Sequence, residues 1–271
     1  MPELPEVETV KETLKKRILN QKINNVKILY PQMIEYPDSE QFKKEIINQT
    51  IIDIKRRGKW LLFELNDYYL LSHLRMEGKY NIKTNEKIIK HEHVIFYFDD
   101  FNLRYQDTRK FGKMYLYKKE ETFNKKPLNQ LGLEPWDKNL NEKYLKEKYL
   151  KIKKPIKEVL LDQSIITGIG NIYADEILFL SKINPFSKPN ELNEEKLKEI
   201  IKNTRIVLEQ AIKAGGTTIR TYTSSEGVHG RFQQNLLVHN QTTCKKCKEQ
   251  LEKVKIGGRT TYYCKKCQKT L

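Results

Sequence analysis

The first residues of the sequence combine a proline with a neighbouring carboxylate. The chain opens MPELPEVETV, so removal of the initiator methionine would leave Pro2 as a free secondary amine. An α-amino group titrates at about 7.7 to 8.0, so an appreciable fraction is unprotonated and nucleophilic near neutral pH. Such an amine can attack a sugar carbon, and its iminium adduct has no N–H proton to lose. Glu3 is placed to move protons for that chemistry. Taken alone, a proline after the initiator methionine means nothing in most chains.

All four cysteines of the chain stand in two Cys-Lys-Lys-Cys pairs separated by sixteen residues. Two pairs at this spacing can place four thiolates around one tetrahedral ion, which is the pattern of a structural zinc site without an open position for water. The alternatives are disulfides, which a cytosolic location disfavours, and free thiols, which do not explain the paired spacing. We predict one structural Zn²⁺ bound by Cys244, Cys247, Cys264 and Cys267.

Two further positions could contact nucleic acid. The segment KIGGRTTYY, between the cysteine pairs, predicts a two-stranded ribbon whose tip or shoulder carries Arg259. Such a ribbon can reach into a nucleic-acid groove, although a solvated arginine explains the spacing equally well. The segment TGIGNIYADE predicts Asn171 at a helix N-cap, where amide donors and the positive end of the helix dipole suit a phosphate oxygen. A simple capped helix after a tight turn is the more common reason for this pattern.

The charge of the chain indicates a polyanionic partner. The 51 lysines and arginines outnumber the 35 aspartates and glutamates, and the net charge of +16 is spread too widely to be one solvated helix face. Nucleic acid fits best, because the longest apolar runs, WLLF and VIFYF, are far too short to span a membrane. The acidic amino terminus is unlike a signal peptide, so we expect a cytosolic protein.

The hydrophobic pattern changes twice along the chain. Apolar residues at helical spacing predict a first helix over residues 5–19: Val7, Val10, Leu14 and Ile18. Alternating segments between residues 50 and 117 predict a β-sandwich, and helical patterns follow over residues 141–150, 155–163, 171–181 and 194–214. We therefore predict an α+β protein with an N-terminal β-sandwich domain with its leading helix (1–132), a helical domain (133–237) and a terminal zinc ribbon (238–271).

Seven segments, in matching order over nearly the whole chain, resemble the formamidopyrimidine-DNA glycosylase family. They are PELPEVETV (2–10), RRGKWLL (56–62), HLRMEGK (73–79), DTRKFG (107–112), GIGNIYADE (168–176), GGTTIR (215–220) and the four-cysteine ribbon. Any one of them is modest evidence, but their joint occurrence makes coincidence implausible. The resemblance implies that the helical domain has the helix-two-turn-helix fold, and we expect DNA to cross the basic cleft between the domains.

The resemblance implies a bifunctional enzyme of base-excision DNA repair. Such an enzyme removes oxidised purines, chiefly 8-oxoguanine and formamidopyrimidines, from duplex DNA and cleaves the strand at the abasic site by β,δ-elimination. The family's nucleophile is the amino-terminal proline, which forms a Schiff base and maps onto Pro2, and its acid/base glutamate maps onto Glu3. Lys59 matches a lysine of the elimination steps, and Arg259 matches the ribbon arginine linked to the second elimination and to phosphate binding.

The resemblance also assigns residues that contact DNA. Three positions match phosphate contacts of the family: His91, Lys157 and Asn171. An enzyme that acts on a base inside a duplex must flip the base out and fill the gap. Met76, Arg109 and Phe111 match the family's wedge, with Arg109 facing the widowed cytosine. From the sequence alone, Met76 and Phe111 would more often be core residues.

Two alternative functions remain open. The endonuclease VIII-like enzymes, which remove oxidised pyrimidines, share the proline mechanism and the ribbon but usually have glycine where this chain has Leu4. A non-catalytic zinc-ribbon DNA-binding protein would explain the charge and the cysteines, but not Pro2 beside Glu3. The first cysteine pair departs from the common family form, because its segment is shorter and lacks the glycine after the second cysteine. Base-reading contacts in the loop 217–234 cannot be assigned. We expect a monomer in a bacterial-type cytoplasm.

Overall fold

The protein was analysed as a computed structural model, which describes residues 1–84, 86–217 and 230–269. It divides into two compact units, Met1–Asn129 with Gly215–Gly230 and Gln130–Ala214 with Arg231–Leu271. The boundaries expected near residues 132 and 237 remain predictions. Residues 218–229 of the loop 217–234, in which base-reading contacts were expected, lie outside the described part of the chain.

The first helix, α1, spans Leu4–Ile18 and confirms the helix predicted from apolar spacing. The four apolar residues that define this spacing are at most 3% exposed: Val7, Val10, Leu14 and Ile18. Residues three or four apart lie on one face of a helix, so this face packs into the core while the polar face meets solvent. Helix α1 therefore has one fixed orientation on the sandwich, and its first turn has a fixed position.

Nine strands form the two sheets of the first unit. They are β1 (Asn25–Ile28), β2 (Ile34–Tyr36), β3 (Asp53–Arg57), β4 (Trp60–Glu64), β5 (Tyr68–His73), β6 (Lys79–Lys83), β7 (Glu92–Tyr97), β8 (Asn102–Gln106) and β9 (Lys113–Lys118). One sheet has the order β1-β7-β8-β6 and the other β2-β9-β5-β4-β3. Only β2 and β9 pair in parallel. The sheets, α1 and a short helix α2 (Ser39–Ile46) share one apolar core cluster, as expected for a sandwich.

The structure corrects the sequence prediction at the start of the sandwich. Strands β1 and β2 precede residue 50, and the hydrophobic pattern predicts neither them nor α2 and β6. In the segment TIIDI the strand begins only at Asp53. Thr50 instead forms an isolated bridge with Lys22, and the Ile51 amide donates to the Gln21 carbonyl. These backbone groups are satisfied by the chain that leaves α1, and so they are not available to the sheet.

The second unit is helical and ends in a two-stranded ribbon. Its elements are α3 (Glu142–Tyr149), α4 (Ile156–Leu160), α5 (Asn171–Leu180), α6 (Glu194–Lys213), β10 (Glu252–Ile256) and β11 (Arg259–Tyr263). Helix α4 is shorter than predicted, because the amides of Leu161 and Asp162 bond to carbonyls three residues back and tighten the chain into a turn. No helix among the described residues is long and apolar enough to cross a bilayer.

We expect Leu14→Ala to destabilise the first unit by about 2–5 kcal/mol, because it removes a fully buried side chain and leaves a cavity in the shared core. Urea unfolding followed by circular dichroism measures the change in the free energy of unfolding. Lys16→Ala, on the exposed face of the same helix, is the control and should stay within about 0.5 kcal/mol. Equal effects of the two substitutions would contradict the packing of α1.

Candidate functional site

The entrance of α1 holds the two residues at the amino terminus that were predicted to be catalytic. Pro2 and Glu3 are both buried, and Glu3 is the N-cap residue of the helix. The Glu3 amide donates to Glu6 Oε2 at 2.9 Å, and the two glutamates form a reciprocal capping box. A capping box satisfies amides that a helix start leaves without intrahelical partners. The backbone next to Pro2 is therefore held by the helix itself.

A second backbone segment meets the same carboxylate. Glu6 Oε1 accepts hydrogen bonds from the Thr217 amide at 2.8 Å and the Thr217 hydroxyl at 3.1 Å. Gly216, with a φ of +79°, leads into this contact, and a Cβ there would lie 2.7 Å from Glu6 Oε1. Only glycine combines this backbone conformation with so close an approach. Glu6 thus joins the entrance of α1 to a segment more than two hundred residues away.

Charged groups surround the amino terminus. Burial lowers the pKa of the Met1 α-amino group, the carboxylates of Glu3 and Glu6 oppose this, and the Lys59 ammonium lowers it further, so the net pKa lies below its ordinary value. Lys59 is buried in the turn that leads from β3 into β4. Lys59 therefore lies close enough to the amino terminus, which precedes Pro2 and Glu3, to affect the pKa of its amine.

A buried histidine lies beside Lys59. Burial holds the pKa of His73 well below its usual value, and the charges of Arg75 and Lys59 lower it further. His73 is therefore neutral at physiological pH, and its Nδ1 accepts the Arg75 amide at 2.9 Å. Its ring packs edge-on against Trp60, with centroids 4.7 Å apart. This contact fixes the end of β5, from which the HLRMEGK segment continues.

The loop DTRKFG is organised by one carboxylate. Asp107 is fully buried and accepts the amides of Arg109, Phe111 and Gly112 at 3.0, 2.9 and 2.8 Å. Phe111 projects from the loop with 48% of its surface exposed, and the Arg109 guanidinium lies 4.8 Å from the centre of its ring. Phe111 is therefore not a core residue, which removes the ordinary explanation for its presence in the sequence.

Met76 and His91 also lie outside the core. Met76 is half-buried in the turn after β5, and Arg75 before it has a φ of +54°. His91, just before β7, has a φ of +72°, and its carbonyl accepts the Asp107 amide at 3.0 Å. Its ring meets that of His93 edge-on at 6.4 Å. The backbone at His91 and the Asp107 loop are thus directly connected.

The predicted phosphate residues of the second unit lie in a polar network. Lys157 is fully buried, and its Nζ donates to the Asn171 carbonyl at 2.7 Å and to Asp175 Oδ1 at 2.5 Å. Asp175 Oδ2 contacts His239 Nδ1 at 2.6 Å and accepts the Tyr262 amide at 3.3 Å. The network ties the first turn of α5 to the ribbon.

The structure corrects the prediction that Asn171 is an N-cap residue. Gly170 is the N-cap, and Asn171 is the first residue of α5, because the extended backbone of Gly170 (φ −126°, ψ −162°) ends the loop one residue earlier. The Asn171 side chain does not cap the helix, and its Nδ2 donates to the Thr260 carbonyl in the ribbon at 2.8 Å. Asn171 still lies at the positive end of the helix dipole.

The four cysteines converge on one point. Their sulfur atoms lie within 4.8 Å of one another, with Cys247 and Cys264 3.4 Å apart and Cys244 and Cys267 3.9 Å apart. Sulfurs bound at about 2.3 Å to a tetrahedral zinc are about 3.8 Å apart, so the arrangement fits one zinc ion. With four thiolate ligands the ion is structural, since no position remains for water or substrate.

The electrostatics of the cysteines fit a bound dication. Burial works to raise the pKa of the Cys244 thiol, but the amides of Cys247 and Lys246 outweigh it and lower that pKa to about 7. Burial and the neighbouring thiols raise the pKa of Cys267 to about 12. The first thiolate therefore forms readily, whereas further thiolates are disfavoured because the negative charges repel one another. A bound divalent cation removes that repulsion. Arg259 begins β11 opposite Ile256 and is exposed at the shoulder of the ribbon.

Several residues that organise the site were not identified from the sequence. They are buried carboxylates that accept backbone amides or hold a cation: Glu6, Asp107, Asp175 and Glu176. Glu176 accepts the amides of Leu237, Val238 and His239 at 2.8 to 3.0 Å, and burial raises its pKa although these amides lower it. The only signal in the sequence is an acidic pair on the otherwise apolar helix α5.

Three family models match successive parts of the chain. The N-terminal domain of formamidopyrimidine-DNA glycosylase matches residues 1–114, the H2TH domain of the same enzyme matches residues 131–223, and a zinc finger found in FPG and IleRS matches residues 243–270. The formamidopyrimidine-DNA glycosylase of Oceanobacillus iheyensis is 48% identical over 273 residues, covering 99% of this chain and 98% of the relative. That of Bacillus cereus is 46% identical, with 99% of each chain covered.

Solved structures agree with the sequence relatives. A Lactococcus lactis FPG variant in complex with Fapy-dG containing DNA has a TM-score of 0.94 and 41% identity, covering 99% of this chain and all of the other. The Lactococcus lactis Fpg in complex with an abasic site containing DNA has a TM-score of 0.93 at 41% identity and the same coverage. With its fold, its four-cysteine site and its full-length relatives in agreement, the chain belongs to the formamidopyrimidine-DNA glycosylase family and is a base-excision repair DNA glycosylase with abasic-site lyase activity.

Proposed function

We propose that this enzyme removes oxidised purines, 8-oxoguanine and formamidopyrimidines, from duplex DNA, with mature Pro2 as its nucleophile. The observation that carries the proposal is the meeting of the buried terminus, Glu3 and Lys59 at the entrance of α1. The relatives support the substrate class, since one is complexed with Fapy-dG containing DNA and another with an abasic site containing DNA. The proposed catalytic residues belong to one chain, which suits a monomer, and bacterial relatives favour a cytoplasmic location.

In the proposed reaction the Pro2 nitrogen forms a bond to C1′ of the damaged nucleotide while the bond from C1′ to the base breaks. The departing base takes up a proton, and the sugar ring opens to give an iminium between the proline and C1′. This cation draws electrons from the sugar, so loss of a C2′ proton expels the 3′ phosphate and a second elimination expels the 5′ phosphate. Glu3 supplies and removes protons, and Lys59 and Arg259 assist the eliminations.

The proposed wedge consists of Met76, Arg109 and Phe111. A flipped base leaves a gap in the stack, and apolar side chains that enter the gap keep the duplex from closing. The exposure of Phe111 and the amides that Asp107 fixes support this role, because the side chain projects from a rigid backbone. Arg109 lies beside Phe111 and is the proposed partner of the cytosine left unpaired.

The proposed phosphate contacts come from His91, Asn171, Lys157 and Arg259. The start of α5 offers a helix N-terminus, and the buried Lys157 ammonium holds that terminus by donating to the Asn171 carbonyl and to Asp175. Arg259 is exposed on the ribbon, whose position depends on the zinc site and on the contact from Asn171 to Thr260. The zinc ion thus supports DNA binding through the ribbon that carries Arg259.

The substrate class is tested with duplexes that each carry one lesion. We expect rapid excision of 8-oxoguanine and formamidopyrimidine opposite cytosine, with products that have lost both flanking phosphate bonds. Preference for thymine glycol or 5-hydroxycytosine would instead identify an oxidised-pyrimidine enzyme. Gel analysis of the cleaved strands after fixed reaction times distinguishes the two outcomes.

We expect borohydride to trap a covalent adduct between Pro2 and the abasic sugar, located by mass spectrometry of the linked peptide. An amino-terminal tag that remains on the protein should abolish trapping, because it converts the amine to an amide. Glu3→Gln should slow base removal by roughly a hundredfold or more, whereas Glu12→Gln, on the exposed face of α1, should not. An adduct on Lys59, or full activity of the tagged enzyme, would contradict the proline mechanism.

Zinc removal should weaken DNA binding and leave the first unit folded. Cys264→Ser removes one of four ligands, so the zinc content should fall well below one ion per chain and the ribbon that carries Arg259 should loosen. Elemental analysis measures the metal, and gel shift measures binding. The exposed neighbour Thr242→Ala is the control. Full binding by the Cys264 variant, or no zinc in the wild type, would refute the assignment.

DNA affinity should depend steeply on salt, because bound cations release counterions from the phosphates. Arg259→Ala should reduce the slope of log affinity against log salt concentration by about 0.9, on damaged and undamaged duplex alike. Lys213→Ala, which removes an exposed cation paired with Glu209, should leave the slope unchanged. Fluorescence anisotropy between about 50 and 200 mM salt covers the informative range. Equal slopes for wild type and Arg259→Ala would remove Arg259 from the phosphate contacts.

A further inference from the structure

Two separate loops of the first unit meet at one buried hydroxyl. Tyr105 lies on β8 and is fully buried. A Cβ added to Gly78 would lie 2.1 Å from its hydroxyl oxygen, and one added to Gly112 would lie 1.8 Å from the same atom. Neither glycine has a positive φ, so the need for glycine comes from close approach and not from backbone conformation: at Gly112 from the Tyr105 side chain, and at Gly78 from the Tyr105 hydroxyl together with the Leu74 carbonyl, 2.5 Å from the added Cβ.

Each of the two glycines closes a loop that carries part of the proposed wedge. The Gly78 amide donates to the Leu74 carbonyl at 2.9 Å and closes the turn that presents Met76. The Gly112 amide donates to Asp107 Oδ2 at 2.8 Å and closes the loop that presents Arg109 and Phe111. Tyr105 therefore touches the closing residue of both loops.

Both loops are held in conformations that need support. Arg75, just before Met76, has a φ of +54°, and Lys110, just before Phe111, has a φ of +58°. Residues other than glycine are uncommon in this region and persist where the surroundings determine the backbone. A rigid contact behind both loops determines their backbone conformation in this way.

The Tyr105 hydroxyl itself has no hydrogen-bond partner among the residues that the structure describes. A buried hydroxyl without a hydrogen-bond partner lowers the free energy of unfolding, so phenylalanine at this position would give a more stable fold. The neighbouring Tyr80 differs in this respect, because its hydroxyl donates to Ser72 Oγ at 2.8 Å. The two rings pack against each other with centroids 5.2 Å apart, which makes Tyr80 a matched internal comparison.

We propose that the Tyr105 hydroxyl is a spacer shared by the two loops, which sets the separation of Met76 from Arg109 and Phe111. Tyr105 is a positioning residue in this proposal, since it acts on DNA only through the loops. The inference rests on the proposed wedge function of those three residues. Removal of one oxygen atom would let the loops approach each other and would displace the wedge relative to the gap it fills.

The test compares Tyr105→Phe with Tyr80→Phe in the full-length, zinc-loaded protein. Wedge insertion is followed by the fluorescence of 2-aminopurine placed beside a tetrahydrofuran abasic analogue in a duplex. Excision is followed as the single-turnover rate on 8-oxoguanine opposite cytosine, and lyase activity is measured on a preformed abasic site, which has no base to flip. Thermal unfolding of both variants reports on folding.

We expect Tyr105→Phe to unfold at the wild-type temperature or above it, because it loses only an unsatisfied group. Its 2-aminopurine signal should fall, and its excision rate should drop roughly tenfold, within the range that a displaced catalytic geometry produces. Lyase activity on the preformed site should change less than about twofold, because the base no longer needs to leave the stack. Tyr80→Phe should lower the unfolding temperature without separating excision from lyase activity.

Unchanged insertion and excision in Tyr105→Phe would overturn the spacer. A lower unfolding temperature with equal losses of excision and lyase activity would also overturn it, because Tyr105 would then serve folding alone. A wild-type enzyme that excises no damaged purine would instead refute the proposed substrate, and the insertion signal on the abasic analogue would still test Tyr105. Absence of that signal in the wild type would refute the wedge and the spacer together.

Discussion

The arrangement of the amino terminus depends on the buried carboxylate of Glu6. A chain terminus is ordinarily the least ordered part of a domain, because it lacks backbone contacts on one side. Here one carboxylate accepts the amide of Glu3 on one oxygen and the amide and hydroxyl of Thr217 on the other. The helix it caps is anchored through four buried side chains to the sandwich core. A nucleophile on this terminus would therefore be held in a fixed position by the core.

Buried carboxylates that organise the backbone recur in this basic protein. Asp107 accepts three amides and shapes the loop of Phe111, and Glu176 accepts three amides in the segment that leads to the zinc ribbon. Asp175 holds the Lys157 ammonium and meets His239 and the ribbon backbone. A carboxylate suits this task, since its two oxygens can accept several amides and such charge-assisted bonds are stronger than neutral ones. Acidic residues organise loops from inside, while cations on the outside, such as Arg259, remain available to phosphate.

Sequence reasoning succeeded where a local pattern determines the structure. The helical spacing in α1 and the paired cysteines each constrain geometry within a few residues, and both are confirmed. It failed for β1 and β2, whose alternation extends over only four and three residues, and for the position of Asn171, where Gly170 takes the N-cap. The carboxylate contacts could not be found, because those of Glu6 with Thr217 and of Glu176 with residues 237–239 join distant parts of the sequence. The partners of Asp107 are near in sequence, but they are backbone amides, which every residue except proline possesses. Glu6 and Thr217 are the extreme case.

The proposal that a terminal amine is the nucleophile agrees with the free energy of deprotonation. A lysine titrates near 10.4 in water, so a lysine nucleophile at neutral pH needs its pKa lowered by about three units, which requires deep burial or strong positive neighbours. An α-amino group starts at about 7.7 to 8.0 and needs little change. At the Met1 amine of the unprocessed chain, burial lowers the pKa while the carboxylates of Glu3 and Glu6 raise it, and the net pKa lies below the ordinary value. If the terminal amine is the nucleophile, carboxylates can lie beside it, because the amine does not depend on a strongly cationic pocket to lose its own proton.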